Sequence, residues 1–267
     1  MKLASQNRES TPNLGLHGRT AIITGASDGI GRTFALSFAQ AGAEIILVSR
    51  THDKLVAVQH AVQAAGGHAD VICSDLSRLS DIRAMADRIE GIIGKRMSKL
   101  ILVNNAGFGF TKAAVDITEE DWDRVLDVHT KGTFFCSQLV GKMMIERGYG
   151  KIINLSSTWS TSTDDGKCVY GLAKAAISYM TAALSTEWAP LGVRVNALAP
   201  TATVTDATRK TMEEDPARAQ RLLGRIKLGR FANPSDLVGA ALFLASPASD
   251  FITGHTLFVD GGWHAAG

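Results

Sequence analysis

"TAIITGASDGIGRTFALSFAQAG", residues 20–42, opens on a β-branched apolar run, passes through three glycines and ends at Gly42. Its second half carries Phe34, Phe38 and Ala41 at helical spacing. A short apolar run closed by glycine reads as a buried strand, and that spacing reads as an amphipathic helix. The joint between them, "TGASDGIG" (24–31), decides the fold. Gly25, Gly29 and Gly31 let the backbone turn tightly and come close to a ligand. The free N–H groups and positive dipole end of the following helix favour an anion, here a pyrophosphate. Ser27, Asp28 and Ile30 fill the loop and complete the expected binding turn. The spacing is GxxxGxG rather than GxGxxG, so a glycine-rich turn without a ligand is the alternative.

Outward from this unit, strand-like and helix-like segments alternate. Further strands are expected at "EIILVSR" (44–50), "ADVICSDL" (69–76), "LILVNNAG" (100–107), "GKIINLSS" (150–157), "VRVNALAP" (193–200) and "TLFVDGG" (256–262). Helices are expected between them. One is capped by Ser80; a long one, 118–148, opens with a capping box at Thr118 and Asp121; another spans 170–192. The strands lack polar alternation, so both of their faces are buried, as in a parallel sheet covered by helices on each side. The expectation is a single doubly wound, Rossmann-like α/β domain over residues 15–267, with about seven strands. Residues 1–14 read as a flexible tail. Residues 200–230 read as an irregular segment at a strand's carboxyl end, the place for a substrate lid.

The 267 residues carry 28 Lys and Arg against 26 Asp and Glu, a net charge of +2. No basic stripe suggests nucleic acid, and no apolar run reaches the roughly 18 residues of a membrane span. Cys73, Cys136 and Cys168 have no CxxC spacing, so neither a disulfide framework nor a metal site is expected, and a reducing cytoplasm fits best.

The second strand ends at Ser49-Arg50, 18 residues past Gly31. A carboxylate near that position would bind the ribose hydroxyls of NAD. A guanidinium suits a 2′-phosphate by charge and forked geometry, so NADP(H) is favoured and NAD(H) remains possible. Asp28 and Asp53 weaken this reading, and Arg50 as a merely solvated strand-end residue is the alternative.

"TGASDGIG", "SDL" (74–76), "NNAG" (104–107), "NLSS" (154–157), "YGLAK" (170–174), "VRVNALAP" and "FVDGGW" (258–263) occur in this order. Together they resemble the short-chain dehydrogenase/reductase family over about residues 16–263. The resemblance implies that Asp75, followed by Leu76, meets the adenine. It implies that Asn104, Ala106 and Gly107 line the cofactor, and that Pro200, Thr203 and Thr205 meet its nicotinamide side. It also implies a homotetramer, sometimes a dimer, built on the long helices near Thr118 and Tyr170 and on the last strand.

Ser157, Tyr170 and Lys174 then fit hydride transfer between NADP(H) and a carbonyl or secondary alcohol. Reduction builds charge on oxygen, so an acid must deliver a proton. Tyr170 is that acid; Lys174, one helical turn on, is expected to lower its pKa and to reach the nicotinamide ribose. Ser157 holds the substrate oxygen. His129 stands where the family usually has asparagine, and a proton relay to Lys174 is the expectation, with a core histidine bonded to a backbone carbonyl as the alternative. Thr201 stands where glycine is usual, so the lid is expected to start differently.

Competing readings are a cofactor-sensing protein with a silent site and a structural partner in a mixed oligomer. Residues 186–200 and 237–263 resemble the gluconate 5-dehydrogenase branch and, nearly as well, 3-oxoacyl-[acyl-carrier-protein] reductases. Trp159, Thr161, Asp164 and Asp165 are expected to line the substrate side, and carboxylates there favour a neutral or polyhydroxylated small molecule.

Overall fold

The computed structural model describes residues 14–94 and 98–266; the expected tail, residues 1–14, lies outside them apart from Leu14. Seven strands form one sheet: β1 (Arg19–Thr24), β2 (Glu44–Ser49), β3 (Ala69–Cys73), β4 (Lys99–Asn104), β5 (Gly150–Leu155), β6 (Val193–Pro200) and β7 (Thr256–Val259). Their order is β3-β2-β1-β4-β5-β6-β7 and every pairing is parallel. Alternate residues feed opposite cores. Ile45 and Leu47 pack with Phe34, Phe38, Leu55 and Val62 on one face. Ile46 and Val48 pack with Ile82, Ile89, Val140 and Met144 on the other. Continuous apolar strands are the sequence form of this double burial.

The first face is covered by α1 (Gly29–Gln40), α2 (His52–Ala64) and α9 (Val238–Ala245). The second is covered by α3 (Leu79–Ile93), α5 (Thr133–Glu146) and α6 (Cys168–Trp188). Helix α4 (Glu119–Leu126) opens with the expected Thr118–Asp121 capping box. Ser80 does not cap α3: the capping position falls to Arg78, which makes no side-chain cap bond, and Ser80 Oγ instead donates to Asp81 Oδ1 at 3.0 Å. The long helix expected at 118–148 is interrupted by a π-helical turn, Asp127–Gly132. The loop after β3 presses there, since a Cβ on Gly132 would stand 2.6 Å from Leu76 O. Residues 200–230 are not irregular either: they hold α7 (Asp206–Glu214) and α8 (Pro216–Arg225), neither of which has a fully buried residue.

β4 ends at Asn104, whose side chain points into the core. Its Nδ2 donates to Ser137 Oγ at 2.9 Å and to Asn154 Oδ1 at 2.8 Å, and Asn154 Nδ2 donates on to Thr181 Oγ1 at 2.9 Å. This chain ties β4, β5, α5 and α6 together behind the site. Asn104→Leu strands two buried acceptors, so it is expected to cost roughly 1–3 kcal/mol. Urea unfolding measures this, and an unchanged midpoint would contradict the role.

Candidate active site

The carboxyl ends of the strands open into a cavity of about 1050 Å³. Its first wall is the turn between β1 and α1, where Gly25, Ser27, Asp28, Gly29 and Ile30 line the cavity. Gly25 has φ +64° and Gly29 φ +51°, backbone that disfavours side chains, and a Cβ on Gly25 would lie 2.8 Å from Ala106 Cα. Asn105 and Thr24 hold the turn in place. Asn105 Nδ2 donates to Thr24 O at 3.0 Å and to Gly25 O at 3.2 Å, while Thr24 Oγ1 accepts from the N–H groups of Asn105 and Ala106, each at 3.0 Å. Gly31 and Asn104, both expected at the cofactor, do not line the cavity. Gly31 serves packing, since a Cβ there would meet Gly25 O at 2.2 Å. Asn105 lines the cavity, because successive strand residues alternate in direction and only one of the pair can face it.

Ser49, Arg50, Asp75 and Leu76 form the next stretch of wall. Asp53 is fully exposed, paired with His52, and does not compete with Arg50 for the cavity. Asp28 Oδ1 caps α1 by accepting from Gly29 N at 2.7 Å, and its other oxygen lies 3.6 Å from Lys54 Nζ. Burial raises the Asp75 pKa, but the two hydrogen bonds from Ser77 and the charges of Arg50 and Arg78 outweigh it and hold the carboxyl below its usual range. Ala106, Gly107, Pro200, Thr203 and Thr205 continue the lining toward the far end.

At that far end Ser157, Tyr170 and Lys174 come together. β5 stops at Leu155, and its carbonyl accepts from Lys174 Nζ at 2.7 Å. Ser156 Oγ donates to Lys174 O at 3.1 Å and bonds Ser178 Oγ at 2.7 Å, so it fastens β5 to α6 from behind. Ser157 Oγ accepts from Trp159 N at 3.2 Å, which fixes the hydroxyl at the strand's end. Burial pulls the Lys174 ammonium down to about 7. It pushes the Tyr170 phenol up to about 12, against hydrogen bonding by Ser157. Burial thus favours the neutral form of both groups, and on Tyr170 it opposes the lowering expected from Lys174. Its close partner is Leu155 O, and its nitrogen stands 5.6 Å from the Tyr170 ring centroid.

His129 projects from the π-helical turn against Tyr170, ring centroids 5.5 Å apart and edge to face. Nε2 lies 3.2 Å from Phe108 N and 3.0 Å from Phe108 O, and takes one or the other according to tautomer. Burial first, then the Lys174 charge, pulls its pKa down to about 3 against the Phe108 hydrogen bond. Burial thus favours its neutral form; Nε2 is taken up by the Phe108 backbone, as in the core-histidine alternative, while Nδ1 is buried without a partner. Thr201 starts the lid without a left-handed residue, since among the described residues only glycines have positive φ.

On the substrate side Trp159 lines the cavity, but Thr161, Asp164 and Asp165 do not. Thr161 Oγ1 is used by Thr158 O and His264, and Asp165 is exposed. Lys167 and Arg218 stand in the wall instead, with Trp263 packed edge to face on Trp159 at 5.2 Å. The expected Asp164 and Asp165 therefore stand outside the lining: the side chain three residues before Tyr170 enters the wall, while Asp164 lies behind Arg218 at 3.8 Å.

A family model described as enoyl-(acyl carrier protein) reductase matches residues 25–264. 2-Dehydro-3-deoxy-D-gluconate 5-dehydrogenase of Bacillus subtilis (strain 168) is 39% identical over 248 residues, 93% of this chain and 95% of the relative. Galactitol 2-dehydrogenase (L-tagatose-forming) of Cereibacter sphaeroides is 38% identical over 251 residues, 93% of this chain and 96% of the relative. The crystal structure of a gluconate 5-dehydrogenase from Burkholderia cenocepacia J2315 in complex with NADP and tartrate superposes with a TM-score of 0.89. It is 36% identical and covers 96% of this chain and 99% of its own.

Lysine side-chain NMR titration should find, well below the ordinary midpoint of 10.5, one lysine near 7 and one near 8. The first signal should vanish in Lys174→Met and the second in Lys167→Met. Titration of both near 10.5 would contradict the burial described for these ammonium groups.

Proposed function

The chain belongs to the short-chain dehydrogenase/reductase family, and on that premise we propose that it interconverts a carbonyl and a secondary alcohol with NADP(H), using Ser157, Tyr170 and Lys174. The observation that carries the proposal is one continuous cavity with the glycine turn, Arg50 and Asp75 at one end and Ser157, Tyr170 and Lys174 at the other. Its volume of about 1050 Å³ suits a dinucleotide with a small substrate. Thr201 Oγ1 and His129 Nδ1, both on lining residues, are buried without a partner, which leaves hydrogen-bonding capacity for a polar occupant.

Gly25, Gly29 and the amino end of α1 would hold the pyrophosphate, Arg50 a 2′-phosphate, and Asp75 the adenine amino group. Bound NADP(H) supplies or accepts the hydride. Tyr170, a neutral phenol across the physiological range, donates its proton to the developing substrate alkoxide in the reducing direction. The Ser157 hydroxyl, pinned by Trp159 N, donates to the same oxygen. Lys174, near its own titration point at neutral pH, would hold the nicotinamide ribose and supply the proton that restores Tyr170. NADP in the Burkholderia cenocepacia neighbour supports the phosphate-bearing cofactor. The absence of a carboxylate at the end of β2 supports it further.

A cytoplasmic homotetramer completes the reading. No described helix is long and apolar enough to cross a membrane. Exposed Trp122 on α4, Leu172 and Tyr179 on α6, and Phe251 before β7 lie on the elements expected to meet other copies.

Steady-state oxidation of NADPH and NADH with a reactive ketone tests the proposal. Wild type should prefer NADPH, and Arg50→Ala should remove about tenfold or more of that preference, the worth of a charge-assisted contact. Tyr170→Phe should bind cofactor and lose about a hundredfold or more in turnover. An unchanged cofactor ratio removes Arg50 from the phosphate site, and turnover within tenfold of wild type removes Tyr170 as the acid.

A further inference from the structure

Lys167 and Arg218 come from separate parts of the chain. Lys167 immediately precedes α6, three residues before Tyr170, and Arg218 lies on the lid helix α8. Both line the cavity, and both donate to the same neutral oxygen: Thr111 Oγ1 accepts from Lys167 Nζ at 2.8 Å and from Arg218 Nη1 at 3.2 Å. Sharing one acceptor keeps the two cations within about 6 Å of each other. One carboxylate, that of Asp164, stands within ion-pair distance of Arg218. Asp164 Oδ2 stands 3.8 Å from Arg218 Nη2, beyond hydrogen-bond reach, and Asp215 Oδ1 is taken up in capping α8 through Arg218 N at 2.9 Å. Lys112, next to Thr111, differs in this respect, since it is paired with Asp121. Two cations drawn together in a cleft, with one carboxylate at 3.8 Å, leave a local excess of positive charge and donors that suits an anion.

We propose that Lys167 and Arg218 form a carboxylate clamp, so that the substrate is a hydroxy acid or oxo acid of the polyhydroxylated kind rather than a neutral polyol. The inference rests on the hydride-transfer reading for the role of the Tyr170 end of the cavity. Lys167 Nζ lies 5.1 Å from the Tyr170 ring centroid, so a carboxylate held there sits about one small carbon chain from the reacting hydroxyl. Lys167 spends two of its three ammonium hydrogens on Phe110 O and Thr111 Oγ1, which leaves one for the ligand. Arg218 offers a planar fork that matches a carboxylate's two oxygens. Because Arg218 rides on α8, binding an acid also ties the lid to the wall before α6. Burial and the Arg218 charge together pull the Lys167 pKa down to about 8, against Asp164, and an anion between the two cations relieves that repulsion.

D-Gluconate and D-glucitol share a carbon skeleton and differ by a carboxylate in place of a hydroxymethyl group, so their affinities isolate the clamp. Calorimetric titration of each into the NADP-saturated protein at low salt should find gluconate at least tenfold tighter, with the ratio shrinking as salt rises. Arg218→Gln and Lys167→Met, each checked for folding by circular dichroism, should bring the ratio below threefold, and Arg218→Lys should keep part of it. Equal binding of the two ligands, no measurable binding of gluconate, or a ratio that survives both substitutions overturns the clamp. Failure of the hydride-transfer reading is separable: it appears as an absence of NADPH oxidation with any ketone, whatever the calorimetric ratio.

Discussion

Strands β1 and β4 are neighbours in the sheet, with Ile22 opposite Leu102 and Ile23 opposite Val103, yet the chain leaves them toward opposite sides. From β1 it passes through α1 to β2; from β4 it passes through α4 and α5 to β5. No connection covers the carboxyl ends between them, so a crevice is left at that switch point. Everything chemical in the molecule is hung on its rim. The glycine turn hangs on Thr24 and Asn105 at the two strand ends, and the Ser157–Tyr170–Lys174 group hangs on the end of β5.

Burial then sets the electrostatics of that rim. The Tyr170 phenol and the Lys174 ammonium are both pushed toward their neutral forms, to about 12 and about 7. A site built from side chains alone thus stores a protonated acid beside a lysine that exchanges protons near neutral pH. The arrangement is held by Leu155 O, a backbone acceptor that cannot move without the sheet. His129 belongs to the same burial: at about 3 it adds shape and a backbone contact to the tyrosine's wall, and no charge.

The sheet was legible because double burial leaves an unmistakable trace, apolar runs without polar alternation, and the Thr118 capping box was legible because its chemistry is local. Other features answer to distant contacts and leave no such trace. The π-helical turn ends at Gly132, where the backbone of Leu76 leaves no room for a side chain, while the apolar period runs through it unbroken. Helices α7 and α8 bury no residue fully, so they show little apolar stripe and read as loop. Asn104 and Asn105 are adjacent and chemically identical, and only strand direction separates the core member from the cavity member. Lys167 belongs to no motif. Its meaning depends on Arg218, 51 positions later, which only the folded lid brings to the same hydroxyl.

The central claim is that one cavity brings a dinucleotide's reactive carbon and a substrate oxygen held by Ser157 and Tyr170 into contact. Following the label most directly tests it. NADPH carrying deuterium at both C4 positions of the nicotinamide is turned over with a ketone, and the alcohol is examined by mass spectrometry and NMR. The account predicts one deuterium on the carbinol carbon for each cofactor oxidised. An alcohol labelled only from solvent, or cofactor oxidation without labelled alcohol, would contradict it.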